Sequence, residues 1–309
     1  MLYLVWRINE VEKFLRIENL LISKAYREII DYFDEFQNDD LYSLGVKSFA
    51  CYKYYHEDSY LDSSNPYSLF LSAHNYHKVY QLLNKECDAK AYQYLGLLKY
   101  HGLGTNKSLC EARQFFLAAI NEGSIPAKTY LAQTYLDEED FEKGFRLLQE
   151  STDFVLSSFY LGNCYFNGYG VFEDKNRAER YYQDASAYGF DEAYYTLGMH
   201  HMASNNLNFG IKYSFELLHK AANKGHERAL LFLIQYYYDR DESKYLDYLV
   251  KAAMVGNSDV KYHLGYDFLM GINLPKDKVK AQYWLNLAAK EGQEQAIKLI
   301  DEFFCPIEI

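Results

Sequence analysis

A short sequence pattern recurs six times along this chain, and it constrains the fold more than any other feature. In each copy, a small or variable residue is followed four positions later by leucine, and in most copies glycine follows that leucine. The copies occupy residues 91–96, 127–132, 157–162, 193–198, 229–234 and 260–265. Their starts lie 36, 30, 36, 36 and 31 residues apart. Repetition at such a period is typical of a solenoid, in which each unit buries its apolar face by stacking on its neighbours.

Each copy is predicted to contain two helices. In the first, the leucine and a residue four positions later, aromatic in most copies, share one helix face. In five of the six copies the second helix carries a large residue, then an alanine, then a closing glycine: Phe115/Ala119/Gly123, Tyr181/Ala185/Gly189, Leu217/Ala221/Gly225, Tyr248/Ala252/Gly256 and Trp284/Ala288/Gly292. The alanine indicates that neighbouring helices approach closely. The glycine suits the left-handed residue that ends many helices.

The glycine-rich segment at 101–108, HGLGTNKS, raises the question of phosphate binding. A P-loop requires glycine where Asn106 stands, and a dinucleotide-binding turn requires its third glycine where Lys107 stands. Related sequences at 168–176 and 271–278 also join the two helices of a copy. These glycines are therefore predicted to shape turns rather than to cradle phosphate.

The full pattern, A-x-x-x-L-G-x-x-Y-x-x-G-x-G-V-x-x-D-x-x-x-A-x-x-W/Y-x-x-x-A-x-x-x-G, resembles the Sel-one-like repeat, a relative of the tetratricopeptide repeat. The copy at 157–189 matches at Leu161, Gly162, Tyr165, Gly168, Gly170, Val171, Asp174, Ala178, Tyr181, Ala185 and Gly189. The copy at 260–292 matches at Leu264, Gly265, Gly271, Asp277, Ala281, Trp284 and Ala288. The resemblance implies an all-α fold, a right-handed α/α superhelical solenoid of helix-turn-helix repeats whose first helices line the concave face.

Three regions are predicted along the chain. Residues 91–292 form six Sel-one-like repeats, and residues 293–309 form a C-terminal capping helix. Residues 1–90 form an N-terminal helical cap with a degenerate repeat, because 40–55 contains a Leu-Gly pair and 66–85 could supply the partner helix. A separate small helical domain is the alternative for residues 1–90.

Charge and composition bear on the partner and the compartment. A formal net charge of −11 lacks the basic surface that duplex DNA or an anionic membrane requires, so it favours a protein partner, and a basic one. No apolar run approaches the length of about 18 residues that a membrane span needs. The first apolar run ends before Arg7 and is too short for a signal peptide. The five cysteines form no C-x-x-C pair, which favours a reducing, cytoplasmic location.

No recognisable catalytic, cofactor-binding or metal-binding motif is present. The sequence contains neither G-x-S-x-G nor H-E-x-x-H. The close histidine pairs, His74/His77 and His200/His201, lack a cysteine or carboxylate at ligand spacing. His201 stands at the aromatic position of its repeat and is interpreted as a packed ring. We therefore expect no cofactor, no metal and no enzymatic activity, although a site assembled across a fold leaves no local motif.

The candidate partner-binding site is a stripe on the first helices. Positions two, six and nine residues after the start of the pattern share a face at i, i+4, i+7 spacing. The candidates are Phe159, Asn163, Phe166, Tyr195, Met199, Leu231, Gln235, Tyr238, Tyr262 and Tyr266, with Met202 and Leu269 on the same stripe. Aromatic and methionine side chains suit a protein-binding groove. The alternative is that the next repeat covers the first and last positions, leaving only the middle one exposed.

The sequence thus predicts a non-enzymatic scaffold or adaptor that binds a partner protein on its concave face. Stand-alone proteins of the family that resemble this chain include signalling adaptors and bacterial immunity partners of secreted toxins, so neutralising a basic toxin is one form of this function. The family also implies an alternative, an enzyme that binds or hydrolyses β-lactams, but those members carry paired cysteines within their repeats, which this chain lacks. Capture of peptides or carbohydrate by the tyrosines of the stripe is a third hypothesis.

Overall fold

The computed structural model describes residues 76–84, 88–203, 209–255 and 258–304, together with a few isolated positions before residue 76. Within these ranges the chain forms fourteen α-helices and no strand. In chain order the helices are α1 Tyr76–Leu83, α2 Ala89–His101, α3 Leu109–Asn121, α4 Pro126–Leu136, α5 Phe141–Gln149, α6 Val155–Asn167, α7 Lys175–Ala187, α8 Asp191–Ala203, α9 Phe209–Asn223, α10 Glu227–Tyr237, α11 Glu242–Val255, α12 Ser258–Met270, α13 Lys278–Lys290 and α14 Glu294–Phe303.

The helices belong to two compact units, Met1–Phe190 and Asp191–Ile309. In the first unit α2 pairs with α3, α4 with α5 and α6 with α7, and in the second α8 pairs with α9, α10 with α11 and α12 with α13. Within a unit each pair also packs on the next, as in α3 on α4 or α11 on α12. Stacked helix-turn-helix pairs define an α/α solenoid, so the predicted fold class is confirmed.

The glycine that follows the repeated leucine lets the two helices of a pair approach closely. Gly162 of α6 faces Tyr182 of α7, and a Cβ atom at Gly162 would lie 2.6 Å from Cε1 of that ring. Gly96 of α2 stands in the same relation to Phe116 of α3, whose ring is fully buried. A larger residue at either glycine would overlap the partner helix.

The repeated alanine of the second helix is also a packing position. In all five copies that carry it, this alanine is buried, with exposures of 0% for four and 3% for the fifth: Ala119, Ala185, Ala221, Ala288 and Ala252. The large residue that reaches the glycine of the first helix lies three positions before this alanine, as Tyr182 does, and not four positions before it, where Tyr181 stands.

The glycine-rich turns close in the same way in three repeats. Gly102 and Gly104 both have positive φ, 72° and 64°, and the amide of Gly102 donates to the carbonyl of Leu98 at the end of α2. In the corresponding turn at 168–174, the amide of Asp174 donates to the carbonyl of Tyr165, 2.8 Å away. The Asp174 carboxylate then accepts from an amide in the first turn of α7. The predicted role of these glycines in turn geometry is confirmed.

The two ends of the chain are described to different extents. Helix α14 packs on α13 and buries Ala296. The predicted N-terminal cap and degenerate repeat fall largely outside the described residues, which include α1 and the buried side chains of Ile17, Val46 and Tyr67. The proposed region boundaries at 90/91 and 292/293 stay predictions.

Among the described helices, none combines the length and the apolar character that crossing a membrane requires.

Candidate functional site

The first position of the predicted stripe contacts the start of the next repeat. The side-chain oxygen of Gln93 in α2 accepts a hydrogen bond from the Ser124 hydroxyl at 2.7 Å, and both groups are buried. Phe159 in α6 is 9% exposed, and its ring packs edge-on against Phe190, with ring centroids 5.2 Å apart. These contacts hold successive repeats together, so Gln93 and Phe159 are not presented to a partner.

Tyr195 of α8 is held in a cluster with the start of α10. Its ring stacks on the buried His226 ring at 4.6 Å, and the Arg228 guanidinium lies 4.8 Å from its centroid. His226 Nδ1 accepts from the amide of Ala229 at 3.1 Å. The Nε2–H group is therefore the donor to the Glu192 carboxylate, 2.7 Å away. Tyr195 is half-buried and fixed by these neighbours.

The next candidates on α6 and α8 are also half-buried. The Asn163 side-chain oxygen accepts from the Tyr182 hydroxyl at 2.8 Å. The Phe166 ring lies 5.9 Å from the Lys175 ammonium, and Met199 packs against the hydrophobic core of the second unit. Burial raises the pKa of Tyr182 above its usual range. Each of these side chains has an internal contact that restricts what it can offer to a partner.

The candidates on α10 are different, because all three are exposed. Leu231 is 44% exposed and Tyr238, the residue after the helix, is 46% exposed, with the exposed Gln235 between them. We call these three side chains the α10 face. The Tyr238 and Tyr245 rings pack nearly perpendicular to each other, with centroids 5.6 Å apart. Here the predicted stripe coincides with an exposed, largely apolar surface.

The candidates on α12 are half-buried. Tyr262 and Tyr266 lie one helical turn apart, with ring centroids 6.1 Å from each other. Burial raises the pKa of Tyr262. Leu269 is buried in the core of the second unit, and Met202 of α8 packs against that core.

The residues of the predicted stripe are thus divided between the two units. Phe159, Asn163 and Phe166 belong to the first unit, and the other seven candidates belong to the second. Within the second unit, the three exposed candidates are the three of the α10 face.

A pocket opens beside Leu231, where α10 begins, α11 ends and α12 begins. Its volume is about 440 Å³. Its described lining consists of Glu227, Leu230, Leu231, Ala252, Val255, Ser258, Asp259 and Val260. We call it the Leu231 pocket. Apart from Leu231, sequence reasoning missed these residues, since they come from three helices whose ends meet only in the fold.

A second polar cluster in this unit joins α9, α10 and α11. His219 lies between Tyr237 and Tyr248, with its Nδ1 atom 2.5 Å from the Tyr248 hydroxyl and its Nε2 atom 3.3 Å from the Tyr237 hydroxyl. Burial and the charges of Lys244 and Lys251 lower the pKa of His219, and burial raises the pKa of Tyr248 to about 12. The stacked rings tie three helices together.

Of the histidines considered as metal ligands, His200 and His201 lie in α8 of the second unit. His77 lies in α1 of the first unit, and His74 lies outside the described residues. The His201 ring packs against Tyr213, 5.2 Å away, as a ring at the aromatic repeat position should. In the described part of the chain, no three His, Cys, Asp or Glu side chains converge on a point where a metal ion could bind.

Comparison with known protein families identifies the repeat. The family model described as Sel1 repeat matches residues 89–124, 155–187, 192–226 and 258–293. These segments contain the pairs α2/α3, α6/α7, α8/α9 and α12/α13. The two remaining pairs, α4/α5 and α10/α11, belong to the copies of 30 and 31 residues, which are shorter than the usual 36.

Curated relatives carry the same repeat. An uncharacterized Sel1-like repeat-containing protein of Schizosaccharomyces pombe is 26% identical over 228 residues, which is 66% of this chain and 34% of that protein. A putative Sel1-like repeat-containing protein of Acanthamoeba polyphaga mimivirus is 25% identical over 43% of this chain and 25% of its own length. The chain therefore spans about a third or less of the curated relatives that it matches.

A solved structure supports the fold. The Sel1 repeat protein from Oxalobacter formigenes superposes with a TM-score of 0.54 at 20% identity, over 93% of this chain and 89% of that one. A likeness at this identity shows the shared fold alone.

Proposed function

We propose that this chain, which is a Sel1 repeat protein, acts as a scaffold that binds a partner protein through the α10 face. Proteins built from Sel1 repeats generally serve as non-enzymatic scaffolds for protein–protein interaction. The repeats account for most of the described helices, so a binding surface formed by the repeats themselves is the simplest source of function.

One observation carries the proposal: the α10 face leaves two large apolar side chains in solvent along one line of a helix. Leu231 and Tyr238 are 44% and 46% exposed. The repeat does not require an exposed side chain at the position of Leu231, since Gln93 and Phe159 are buried at the same position of other repeats. Aromatic and aliphatic anchors of this kind contribute most of the energy of protein interfaces. The face therefore suits a protein partner better than a small polar ligand.

The partner is proposed to be basic. The net charge of −11 favours a positively charged protein and opposes nucleic acid or an anionic membrane. An immunity function, in which the scaffold blocks a basic toxin, is the narrower form of this proposal. It is supported by the negative net charge of the chain.

We propose a cytoplasmic location and no catalytic role for this protein. Among the described cysteines, Cys110 is exposed and Cys164 is buried, and burial raises the pKa of the Cys164 thiol to about 12. A thiol with so high a pKa is a poor nucleophile at neutral pH. Nothing about either cysteine favours the β-lactam alternative.

Quantitative affinity capture tests the proposal. Extract from the source cells is passed over three immobilised baits: the wild type, the Gln235→Ala/Tyr238→Ala variant and a Val279→Ala control. Val279 on α13 is 78% exposed and lies outside the α10 face. We expect at least one protein to be retained by the wild type and the control and lost from the double variant, with all three baits giving the same melting curve.

Equal retention of every captured protein by the three baits would place binding elsewhere on the molecule. Failure of the wild type to retain any protein above an empty column would remove the main support for a scaffold.

A further inference from the structure

Two arginines of this chain show how it holds a cation from one helix on the surface of another. Each is held by a tyrosine ring and a carboxylate that lie three residues apart in the sequence: Arg113 by Tyr135 and Glu138, and Arg228 by Tyr195 and Glu192. The guanidinium carbon lies 4.5 Å from the ring centroid in the first case and 4.8 Å in the second. A spacing of three residues in helical backbone places the ring and the carboxylate on one side, where both can contact the same cation.

Tyr181 and Asp184 of α7 repeat this spacing, and the two side chains share one face of the helix. Burial, the neighbouring Tyr165 phenol and the Asp184 carboxylate raise the pKa of Tyr181, so the carboxylate lies near the hydroxyl of that ring. Asp184 is exposed. The pair therefore presents a ring and a carboxylate in the same order along the chain as Tyr135 and Glu138.

The arginines of α7 do not pair with Asp184. The Arg177 guanidinium lies over the Tyr165 ring, 5.5 Å from its centroid, and pairs with Asp174 at 3.3 Å. Arg180 is exposed and forms no ion pair with Asp184. Among the residues that the structure describes, Asp184 thus has a tyrosine beside it and no paired cation.

A pocket of about 410 Å³ opens at this pair, where α7 ends and α6 begins. Its described lining consists of Thr152, Ser158, Tyr181, Asp184, Ala187 and Tyr188 and contains no Lys or Arg. We call it the Tyr188 pocket. Tyr188 is 56% exposed and follows Asp184 by one helical turn, so a tyrosine lies on either side of the carboxylate along the helix. The six residues all belong to the first unit.

The other polar side chains of the pocket are hydroxyls. Ser158 is buried, and its hydroxyl donates to the Thr152 carbonyl at 3.4 Å. The end of α7 and the start of α6 meet here, so their helix dipoles oppose each other and Asp184 sets the sign of the local charge. A planar cation that stacks on a ring while it pairs with a carboxylate suits these groups better than an anion or an aliphatic side chain.

We propose that the Tyr188 pocket binds one arginine side chain of a partner protein, with the guanidinium paired to Asp184 and stacked on the Tyr188 ring. Arginine is favoured over lysine because its planar group both stacks on rings and forms two parallel hydrogen bonds with a carboxylate. A protein source agrees with the net charge of −11, which favours a basic partner. The site goes beyond the proposed function, since its residues belong to the first unit and those of the α10 face to the second.

A thermodynamic cycle with a peptide ligand tests the inference. A phage-displayed library of random short peptides is selected on the whole protein, and the enriched peptides are synthesised and measured by fluorescence polarisation. Each arginine of a peptide is replaced in turn by lysine and by citrulline, the neutral isostere of arginine. The loss of affinity on replacement by citrulline measures what the positive charge contributes at that position.

Two matched variants of the protein complete the cycle. Asp184→Asn/Tyr188→Ala removes the carboxylate and the exposed ring of the pocket. Glu216→Gln/Tyr283→Ala is the control, because it removes an exposed carboxylate of α9 and a tyrosine of α13 that is 58% exposed, both outside the pocket and the α10 face. Melting curves verify that both variants are folded.

On the wild type, replacing one arginine of the peptide with citrulline should weaken binding on the order of 3- to 30-fold, the range expected for a cation–π contact together with an ion pair. Lysine at that position should bind more weakly than arginine. In Asp184→Asn/Tyr188→Ala the effect of citrulline should fall below about twofold, whereas the control variant should keep it in full.

Three results would overturn the inference. One is the absence of any enriched peptide with an arginine whose replacement by citrulline lowers the affinity. Another is an equal effect of citrulline on the wild type and on the pocket variant, which would assign the arginine to general attraction by an acidic surface. If such peptides lose affinity in Gln235→Ala/Tyr238→Ala instead, the α10 face stands and the Tyr188 pocket fails. The third is lysine binding as tightly as arginine, which would exclude a stacked guanidinium.

Discussion

Replacing Gly162 with alanine should destabilise the first unit, although alanine normally favours a helix. The new Cβ atom would lie 2.6 Å from Cε1 and 2.7 Å from Cδ1 of Tyr182. Favourable carbon contacts lie at about 3.5–4.0 Å, so the ring must retreat by roughly 1 Å. The ring has little room to do so, because Tyr182 is 3% exposed and its hydroxyl donates to Asn163 at 2.8 Å.

The magnitude follows from three contributions to the free energy of unfolding. Overpacking a well-filled contact costs about 1–3 kcal/mol. Displacing the Tyr182 hydroxyl from Asn163 costs about 1 kcal/mol. Replacing glycine with alanine inside a helix returns about 1 kcal/mol. The net effect of Gly162→Ala is therefore a loss of about 1–3 kcal/mol.

Urea denaturation followed by circular dichroism measures this loss. Gly210→Ala is a matched control, because the one described atom within 4 Å of a Cβ atom at Gly210 would be the His201 carbonyl oxygen, at an ordinary 3.4 Å, and this variant should be neutral or slightly stabilised. Adding Tyr182→Leu to Gly162→Ala should recover at least about 1 kcal/mol relative to additivity. If Gly162→Ala proves as stable as the wild type, the α6/α7 contact is not formed as described and the repeat register is wrong.

Three further predictions concern packing, backbone strain and pH. Ala221 is fully buried, so Ala221→Leu should lower the free energy of unfolding by about 1–3 kcal/mol, and a neutral change in denaturation would contradict the assigned close approach of helices. Glu139 has a φ of 63°, so Glu139→Gly should stabilise the protein by about 0.5–1 kcal/mol in the same assay, and a loss of stability would show that the side chain has a compensating contact. Burial and nearby lysines lower the pKa of His219, so the unfolded state binds the proton more tightly and stability should fall as the pH drops below about 6.5. His219→Gln should reduce that fall in pH-dependent denaturation, and an identical slope in both proteins would exclude His219 as its source.

The sequence predicted the architecture well because solenoid packing is local. The leucine of each copy, the glycine that follows it in most copies, the buried alanine such as Ala185 and the turn glycine Gly168 are all features of a single helix pair. It was harder to predict which residue of the second helix faces the glycine of the first. Helical periodicity identifies the face of α7, but only the packed pair shows that Tyr182 rather than Tyr181 meets Gly162.

The candidate site was less predictable, because the exposure of one repeat depends on the next. Phe159 and Leu231 occupy the same place in the pattern, yet Phe159 is covered by Phe190 whereas Leu231 is exposed. Whether a stripe residue is covered depends on a side chain at the start of the following repeat, which periodicity within a helix does not reveal. The Leu231 pocket has the same origin, since Glu227, Val255 and Asp259 are brought together by the ends of three helices.

The claim that the α10 face binds the partner is tested most directly by affinity. A purified partner, identified by capture, is measured against the wild type and against Gln235→Ala/Tyr238→Ala. Isothermal titration at fixed salt should show binding that is weaker by about tenfold or more in the double variant, since truncating an interface anchor removes on the order of 1–2 kcal/mol. The Val279→Ala control should bind as the wild type does. Equal affinity of all three folded proteins would contradict the claim that the α10 face is the binding surface.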